Sequence, residues 1–531
     1  MTFSRRQFII LASGAGGALA LGACSSDDDA AAPGTGDAAP GPTVGTAPET
    51  TTAGSVADTP APTTGGAVRV AALASPSDTL NPATITGIMD YIVAFHVHDS
   101  LVILQGGDFV YQLAESIEPS DDATEWTITV REGPTFHDGT PVTANDVRYS
   151  LQLLATSPNY AQFFASIDLA NSTVPDDRTL VLPMLVPRGD LVESVFSQLS
   201  FVVPDGFENW GANIGSGPYT LASYEAGVGA RLERNPDYWG PAPSIDVIEL
   251  TAIADPSTRL SALKSGDIDW ANGITAIGAA GEEGNDDIVI IRGDSENSTM
   301  RTFAMNVTQA PFDNPDVVEA VKLAVDRQAL IDIVLLGNGV VGNDMPSLGL
   351  PGYNDSIPQR ARDLDRAREL FAGAGVDSFT LRAAEFVPGA VASAEVFAQQ
   401  LAEAGITVTV DEADPTTYFD DFATVLSTPI QAFYFINRPA VTHVASYTGT
   451  SSPFNVTGFA TPEYDAALAD ALAQPDADAR EAAVRDLLQT LHDEDGMVIW
   501  AFDPQIDAAR PGIDGVQLVQ SVPVFWTATV Q

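Results

Sequence analysis

A chain of 531 residues, 45% of them hydrophobic, can bury a large core and divide into about three domains of ordinary size. Its 71 acidic residues against 24 basic ones give a net charge of −47. Such a field repels phosphate backbones and argues against nucleic acid as a partner. No internal stretch reaches the roughly 18 apolar residues that a membrane-spanning helix needs.

The chain opens with paired arginines in "SRRQFI" (Ser4 to Ile9), then a short glycine-rich apolar stretch, then "LGAC" (Leu21 to Cys24). A charged start, a short apolar centre and small residues before a cut are the physics of an export signal. The paired arginines resemble a twin-arginine signal. "LGAC" resembles a lipobox, which makes Cys24, the only cysteine, the expected site of lipidation and anchoring to the outer face of the membrane. A leader is therefore expected over 1–23. Residues 24–66 are mostly Asp, Ala, Pro, Thr and Gly, too poor in large apolar side chains to offset their ordering entropy, and are expected to form a tether. The acidic composition reads as a solvated surface or as adaptation to salt, which composition does not separate.

The body begins with a strand at "AVRVAAL" (Ala67 to Leu73), and "TLNPA" then turns the chain. "EWTITVREG" (Glu125 to Gly133) is a second strand. After it, "FHDGTPVTANDV" sets His137 beside Asp138, as an acid–base pair would be. Asp-Gly is also a strong turn signal, and Thr143-x-x-Asp146 resembles a capping box. A catalytic histidine needs a nucleophile or a metal, and neither lies nearby, so strand, turn, cap and helix is the better parse. "IDVIELTAI" (Ile245 to Ile253) is another strand.

"DNPDVVEAVKLAVDRQALIDIVLLG" predicts one helix, with Asn314 as N-cap, Pro315 at its first position and Gly337 as its stop. "FTLRAAEFV", "SAEVFAQQLAEAG" and "ITVTVDEA" predict strand, helix and parallel strand, with Gly405 ending the helix. The body is therefore α/β.

Chemistry is sparse. His96 and His98 suit a metal only on a strand face, and no third ligand joins them. No Walker loop and no Gly-x-Ser-x-Gly turn occurs; "GSGPY" (Gly215 to Tyr219) has the glycines without the spacing. Nothing in the chain asks for a cofactor or for catalysis.

The order of motifs resembles the family 5 extracellular solute-binding proteins of ABC importers, the dipeptide-, oligopeptide- and nickel-binding type. The segment from Ala114 to Leu151, which contains "FHDGTPVTANDV", carries the resemblance most specifically. "TLNPA", "GSGPYTLASYEAGVGARLERNPDYWG", "DPSTRLSALKSGDIDW", "FAMNVTQAPFDNPDVVEAVKLAVDRQALIDIV", "DLDRARELFAGAG", "QQLAEAGITVTV" and "TPEYDAALADA" stand in the family's order. The resemblance implies a periplasmic-binding-protein type II-like fold of the cluster C type, with two lobes, a hinge and an extra domain. The first lobe is then expected at 67–82, 204–300 and 497–531, the extra domain at 83–203 and the second lobe at 301–496. It also implies capture of a peptide or other small organic ligand in a cleft, and delivery to permease and ATPase subunits. A ligand-sensing lipoprotein of the same fold and a secreted hydrolase are the alternatives.

Peptide-binding members anchor the amino terminus with an aspartate in a segment resembling Trp-x-Ala-Asp-Tyr-x-Asp-Pro. The corresponding place here is "AFYFINRPAV" (Ala432 to Val441), where Phe435 replaces that aspartate and Arg438 the second one. Arg438 suits a carboxylate or phosphate, unless it is a surface or inter-lobe residue. Tyr434 and Phe435 suit aromatic stacking, and Asn437 lies beside them. Met305 and Asn306, on the segment resembling the first crossing between lobes, and Tyr91, early in the extra domain, complete the expected ligand contacts. Trp239 and Trp270 are expected to be structural.

Overall fold

The computed structural model describes residues 65–531, apart from 158, 159, 213, 416 and 420. The expected leader, Cys24 and all of the expected tether except Gly65 and Gly66 lie outside the described residues.

Two large sheets organise the chain. The first has seven strands in the order Val289–Arg292, Ile506–Ala509, Trp270–Ala271, Ala67–Ala72, Val247–Ala252, Gly229–Arg234 and Tyr219–Glu225. Ala67–Ala72 sits at its centre, parallel to both neighbours, with Ala67 opposite Val247 and Val70 opposite Trp270. The second has six strands in the order Val340–Val341, Met497–Pro504, Ser298–Met305, Ile430–Ile436, Ser378–Ala383 and Thr407–Glu412. Ser298–Met305 is buried along its whole length and runs antiparallel to Ile430–Ile436 and Met497–Pro504. Met497–Pro504, expected with the first lobe, is thus hydrogen-bonded into the second sheet, and the chain changes sheets just beyond it.

Local chemistry explains the elements. Strand Ser378–Ala383, helix Ala390–Glu403 and strand Thr407–Glu412 form a parallel unit in which Ser378 faces Thr407. Gly405, at φ 88°, turns the chain out of the helix, and the Ile406 N–H reaches back to the Leu401 carbonyl at 3.0 Å. The single helix expected from Pro315 is two, Pro315–Ala324 and Arg327–Val334. Asn314 caps the first. Val325 and Asp326 leave the helix, and the Asp326 carboxylate accepts from Ala329 N–H at 3.0 Å to start the second.

Between Ile88 and Phe196 lie helix Ile88–Val97, helix Ala144–Ala155 and a four-stranded antiparallel sheet ordered Ala114–Pro119, Glu125–Val130, Thr179–Pro183 and Thr173–Asp176. One continuous apolar cluster runs from Val70 and Ile248 of the seven-stranded sheet to Trp126, Ile128 and Leu180 of the four-stranded sheet. These two sheets therefore share a core. The six-stranded sheet buries separate clusters, around Phe303, Val321 and Phe397 on one side and around Met300, Phe433 and Ile499 on the other.

The chain passes between the two bodies twice, and the passages lie side by side. Gly293 N–H donates to the Gln505 carbonyl at 2.8 Å, and Gln505 N–H donates to the Asn297 carbonyl at 2.9 Å. Paired short crossings of this kind let two bodies rotate while few backbone angles change.

Candidate functional site

A hollow, partly open to solvent, lies between the two bodies, with about 380 Å³ of atom-free space including that solvent. Tyr91, on helix Ile88–Val97, lines it together with Tyr160, Phe163 and Phe164. Val195, Gln198 and Leu199 come from the turn ending the 83–203 stretch, and Gln520 from the last part of the chain. From the six-stranded body comes Arg438.

Arg438 is aimed by its neighbours. Strand Ile430–Ile436 ends just before it, and Asn437 is tied down by Nδ2 bonds to the carbonyls of Ser295 (2.7 Å) and Leu348 (2.9 Å). Pro439 then leads into helix Ala440–Tyr447. Held at both sides, the guanidinium crosses the gap and donates to the side-chain oxygen of Gln198. Its Nε is buried without a hydrogen-bond partner.

The groups around Arg438 are neutral. Burial, helped by the nearby guanidinium, pushes His443 down to about 3. Burial raises the phenols of Tyr160 and Tyr447, although the guanidinium opposes it at both. The Tyr160 hydroxyl donates to the Ile85 carbonyl at 3.0 Å, so the Tyr91 hydroxyl, 2.6 Å away, is the donor in their contact. Among the described residues that line the hollow there is no carboxylate and no nucleophile set beside a base.

The bodies also meet around the hollow. The Thr442 hydroxyl donates to the Glu193 carbonyl at 2.9 Å, and Arg480 pairs with the Glu193 carboxylate. Gly189 N–H donates to the Leu472 carbonyl at 2.7 Å. A Cβ at Gly189 would stand 2.0 Å from the Gln474 carbonyl oxygen, so only glycine permits this approach.

Of the expected contact residues, Tyr91 and Arg438 meet in the hollow. The rest lie elsewhere. Tyr434 and Phe435 belong to a buried aromatic cluster, with Tyr434 stacked on Phe386 at 5.4 Å and Phe435 against Tyr447 at 4.8 Å. Phe163, which lines the hollow, packs against this cluster. Met305 is fully buried among apolar side chains. The Asn306 side chain donates to the Leu426 carbonyl at 2.7 Å and accepts from Thr308 N–H at 2.9 Å, a turn-holding role. Tyr160, Phe163, Gln198 and Gln520 were not expected. Only "YAQFF" (Tyr160 to Phe164), an aromatic run on a short turn, offered a sequence signal.

The other candidate residues have structural partners. His137 accepts from Gly215 N–H at 3.3 Å through Nδ1, so Nε2 carries the proton and donates to the Gly217 carbonyl at 3.0 Å. Asp138 accepts from the backbone and hydroxyl of Thr140. His96 sits between the Ile92 carbonyl (2.6 Å) and the Phe525 N–H (2.9 Å), and no group of three or more metal-ligating side chains occurs among the described residues. Trp239 and Trp270 donate to the buried carboxylates of Asp99 (2.8 Å) and Asp507 (2.9 Å). Among the described residues no helix is long and apolar enough to cross a membrane.

Residues 108–452 match the family described as bacterial extracellular solute-binding proteins, family 5, middle. The glutathione-binding protein GsiB of Shigella boydii serotype 4 (strain Sb227) is 30% identical over 315 residues, which are 57% of this chain and 60% of that protein. The match thus spans about 60% of the length of this curated relative. The fold superposes on the periplasmic binding protein DppA from Helicobacter pylori in complex with the peptide STSA, with a TM-score of 0.70, 20% identity and coverage of 88% of this chain and 98% of that one. It also superposes on AgaA from A. tumefacien R10 in complex with agropinic acid, with a TM-score of 0.70, 24% identity and coverage of 88% and 99%. These likenesses give the chain the two-lobed α/β fold of periplasmic binding proteins, and the family match establishes that it belongs to the family 5 bacterial extracellular solute-binding proteins.

Proposed function

We propose that this protein captures a small organic solute between its two bodies and delivers it to the permease and ATPase subunits of an ABC importer. The observation that carries the reading is the hollow itself. Tyr91, Tyr160 and Gln198 of one body and Arg438 of the other line it, near two crossings paired at Gly293–Asn297 and Gln505. A solute that touches both bodies makes its full contacts only when they are together, so binding favours the closed form. The closed form then presents a surface that the open one lacks, which is what a permease needs in order to tell loaded from empty. No chemical step is part of this function.

The first lobe in this reading comprises 67–82, 204 to about 297 and the chain beyond Pro504, the extra domain 83–203, and the second lobe about 298–504. Export through the twin-arginine signal and lipidation at Cys24 would hold the protein on the outer face of the membrane. Replacing Cys24 by Ala should then release it into the medium. The principal test is native mass spectrometry of protein purified from its own host, followed by small-angle scattering with and without the recovered molecule. One non-covalent small molecule that compacts the protein on rebinding is expected. Turnover of that molecule, or binding without compaction, would refute the reading.

A further inference from the structure

We propose that the solute is a small organic anion, a carboxylate with an apolar or aromatic flank, whose acid group is taken by Arg438. This names the ligand class for the capture site proposed above and rests on that reading. In a chain with 71 acidic residues and 24 basic ones, the hollow is lined by one cation and, among the described residues, by no anion. Arg438 forms no ion pair with a described residue. Its polar neighbours are the Gln198 side-chain oxygen and the Tyr447 phenol, both uncharged.

A guanidinium has five N–H donors. One of those of Arg438, on Nε, is buried without a hydrogen-bond partner. A carboxylate accepts two parallel N–H bonds from such a fork. The other polar donors are committed. The Gln198 amide donates to the Glu193 carbonyl (3.3 Å) and the Ser197 hydroxyl (3.1 Å), and the Gln520 amide to the Ser197 carbonyl (2.8 Å). The Tyr91 and Tyr160 hydroxyls form a relay that ends on Ile85. An ammonium group would find no carboxylate here and would lie against a guanidinium, which disfavours it strongly. Phe163, Phe164, Val195 and Leu199 supply the apolar wall.

The overall charge of −47 gives this proposal an unusual signature. At long range the protein repels an anion, while at short range Arg438 attracts it. Salt screens exposed, distant charges far more than a buried contact, with a Debye length of about 10 Å at 0.1 M. An anionic solute should therefore associate faster as salt rises, whereas a cationic one should associate more slowly.

The test uses the full chain and a matched set of probes: phenylacetate, phenylacetamide and phenethylamine. Calorimetry and thermal shift are expected to detect the acid and not the amide or the amine. Its association rate is expected to rise between 0.05 M and 0.5 M NaCl, a range over which the Debye length falls from about 14 to about 4 Å. Arg438→Gln should weaken acid binding at least about thirtyfold. Arg438→Lys should recover part of it, because the charge remains and the fork is lost. Unliganded melting and scattering profiles of both variants guard against a folding defect. Equal response to the amide or the amine, no response to the acid, slower association with salt, or unchanged affinity in Arg438→Gln would overturn the proposal. Solute capture itself would survive if a neutral or cationic solute recovered from the host compacted the protein.

Discussion

Arg480 and Glu193 form a buried ion pair that joins the two bodies beside the hollow. Arg480 stands on helix Ala477–Glu494, and Glu193 lies in the turn of helix at Val192–Phe196. The pair is one-sided. Arg480 also donates to the Gln474 carbonyl at 2.7 Å, whereas the second carboxylate oxygen of Glu193 has no partner. Burial raises the Glu193 carboxyl, and Arg480 opposes that shift. While the bodies are together, Arg480 is thus the main group that offsets the burial of the Glu193 charge.

The first prediction follows from that dependence. Breaking a buried pair by removing one partner costs about 3–5 kcal/mol when the orphaned charge cannot escape. Here it can escape if the bodies separate. Arg480→Ala is expected to enlarge the solute-free protein in small-angle scattering and to weaken solute binding at least about tenfold, with a smaller loss of thermal stability. The double variant Glu193→Gln with Arg480→Met should recover part of the affinity, because no buried charge remains. Unchanged dimensions and affinity in Arg480→Ala would show that the pair does not hold the bodies together.

The second concerns the cap on helix Ala144–Ala155. Thr143 and Asp146 form a reciprocal capping box, with Thr143 N–H donating to Asp146 Oδ2 at 2.7 Å. The other carboxylate oxygen accepts from Asp205 N–H at 2.8 Å, tying the helix to the chain that leaves the 83–203 stretch. Asp146→Ala should cost about 1–2 kcal/mol, read from urea unfolding. Asp146→Asn, which keeps acceptor capacity, should cost less. A loss of less than a few tenths of a kcal/mol would mean the cap is redundant.

The difference between what was readable and what was not has a physical basis. The Thr143–Asp146 cap, the Asn314 N-cap and the turn at Gly405 depend on side chains within a few residues of one another, and each is written in the local sequence. The break at Val325–Asp326 was written there too, as an aspartate three residues before Ala329. The apolar face running through it favoured one continuous helix instead. The placement of Met497–Pro504 beside Ser298–Met305 joins strands about two hundred residues apart, which no local pattern encodes. The site behaves likewise. Arg438 was legible as a cation where an anion is usual, but Gln198, its partner 240 positions away, carries no signal of its own. Tyr434 and Phe435 looked like ligand platforms because aromatic residues on an alternating strand suit both a cleft and a core.

The third prediction separates scaffold from chemistry at His137. Its ring bridges Gly215 and Gly217, in a loop pressed so tightly on the end of helix Ile88–Val97 that a Cβ at Gly215 would stand 1.9 Å from the Val97 carbonyl oxygen. His137→Ala removes both ring bonds and leaves the Gly217 carbonyl without this donor. It is expected to cost about 1–3 kcal/mol of unfolding free energy, while the solute affinity of the folded protein stays within about twofold, since a distant site adds independently. A large loss of affinity without loss of stability would contradict the structural assignment.

The last prediction is a pH dependence centred on Asp90. This residue opens the helix that carries Tyr91, and its carboxylate accepts from Thr79 N–H at 3.1 Å and from Thr86 N–H at 3.4 Å. Burial, and then the neighbouring Asp78, push its carboxyl up to about 7, with the backbone N–H groups pulling the other way. In the unfolded chain an aspartate titrates near its model-peptide value of about 3.9. Because the folded value is the higher one, the folded state holds the proton more tightly. The resulting stability is fully present below about pH 4 and is lost as pH rises toward about 7. Asp90→Asn cannot make this change. Unfolding free energies of the native protein and of Asp90→Asn, measured in urea at pH 4.5 and at pH 8, should therefore converge or cross as pH rises. The native protein should lose on the order of 2–4 kcal/mol relative to the variant across that window. A difference that stays constant from pH 4.5 to pH 8 would place the titration of Asp90 outside it, and the helix start would then be held by a carboxylate that keeps its charge throughout.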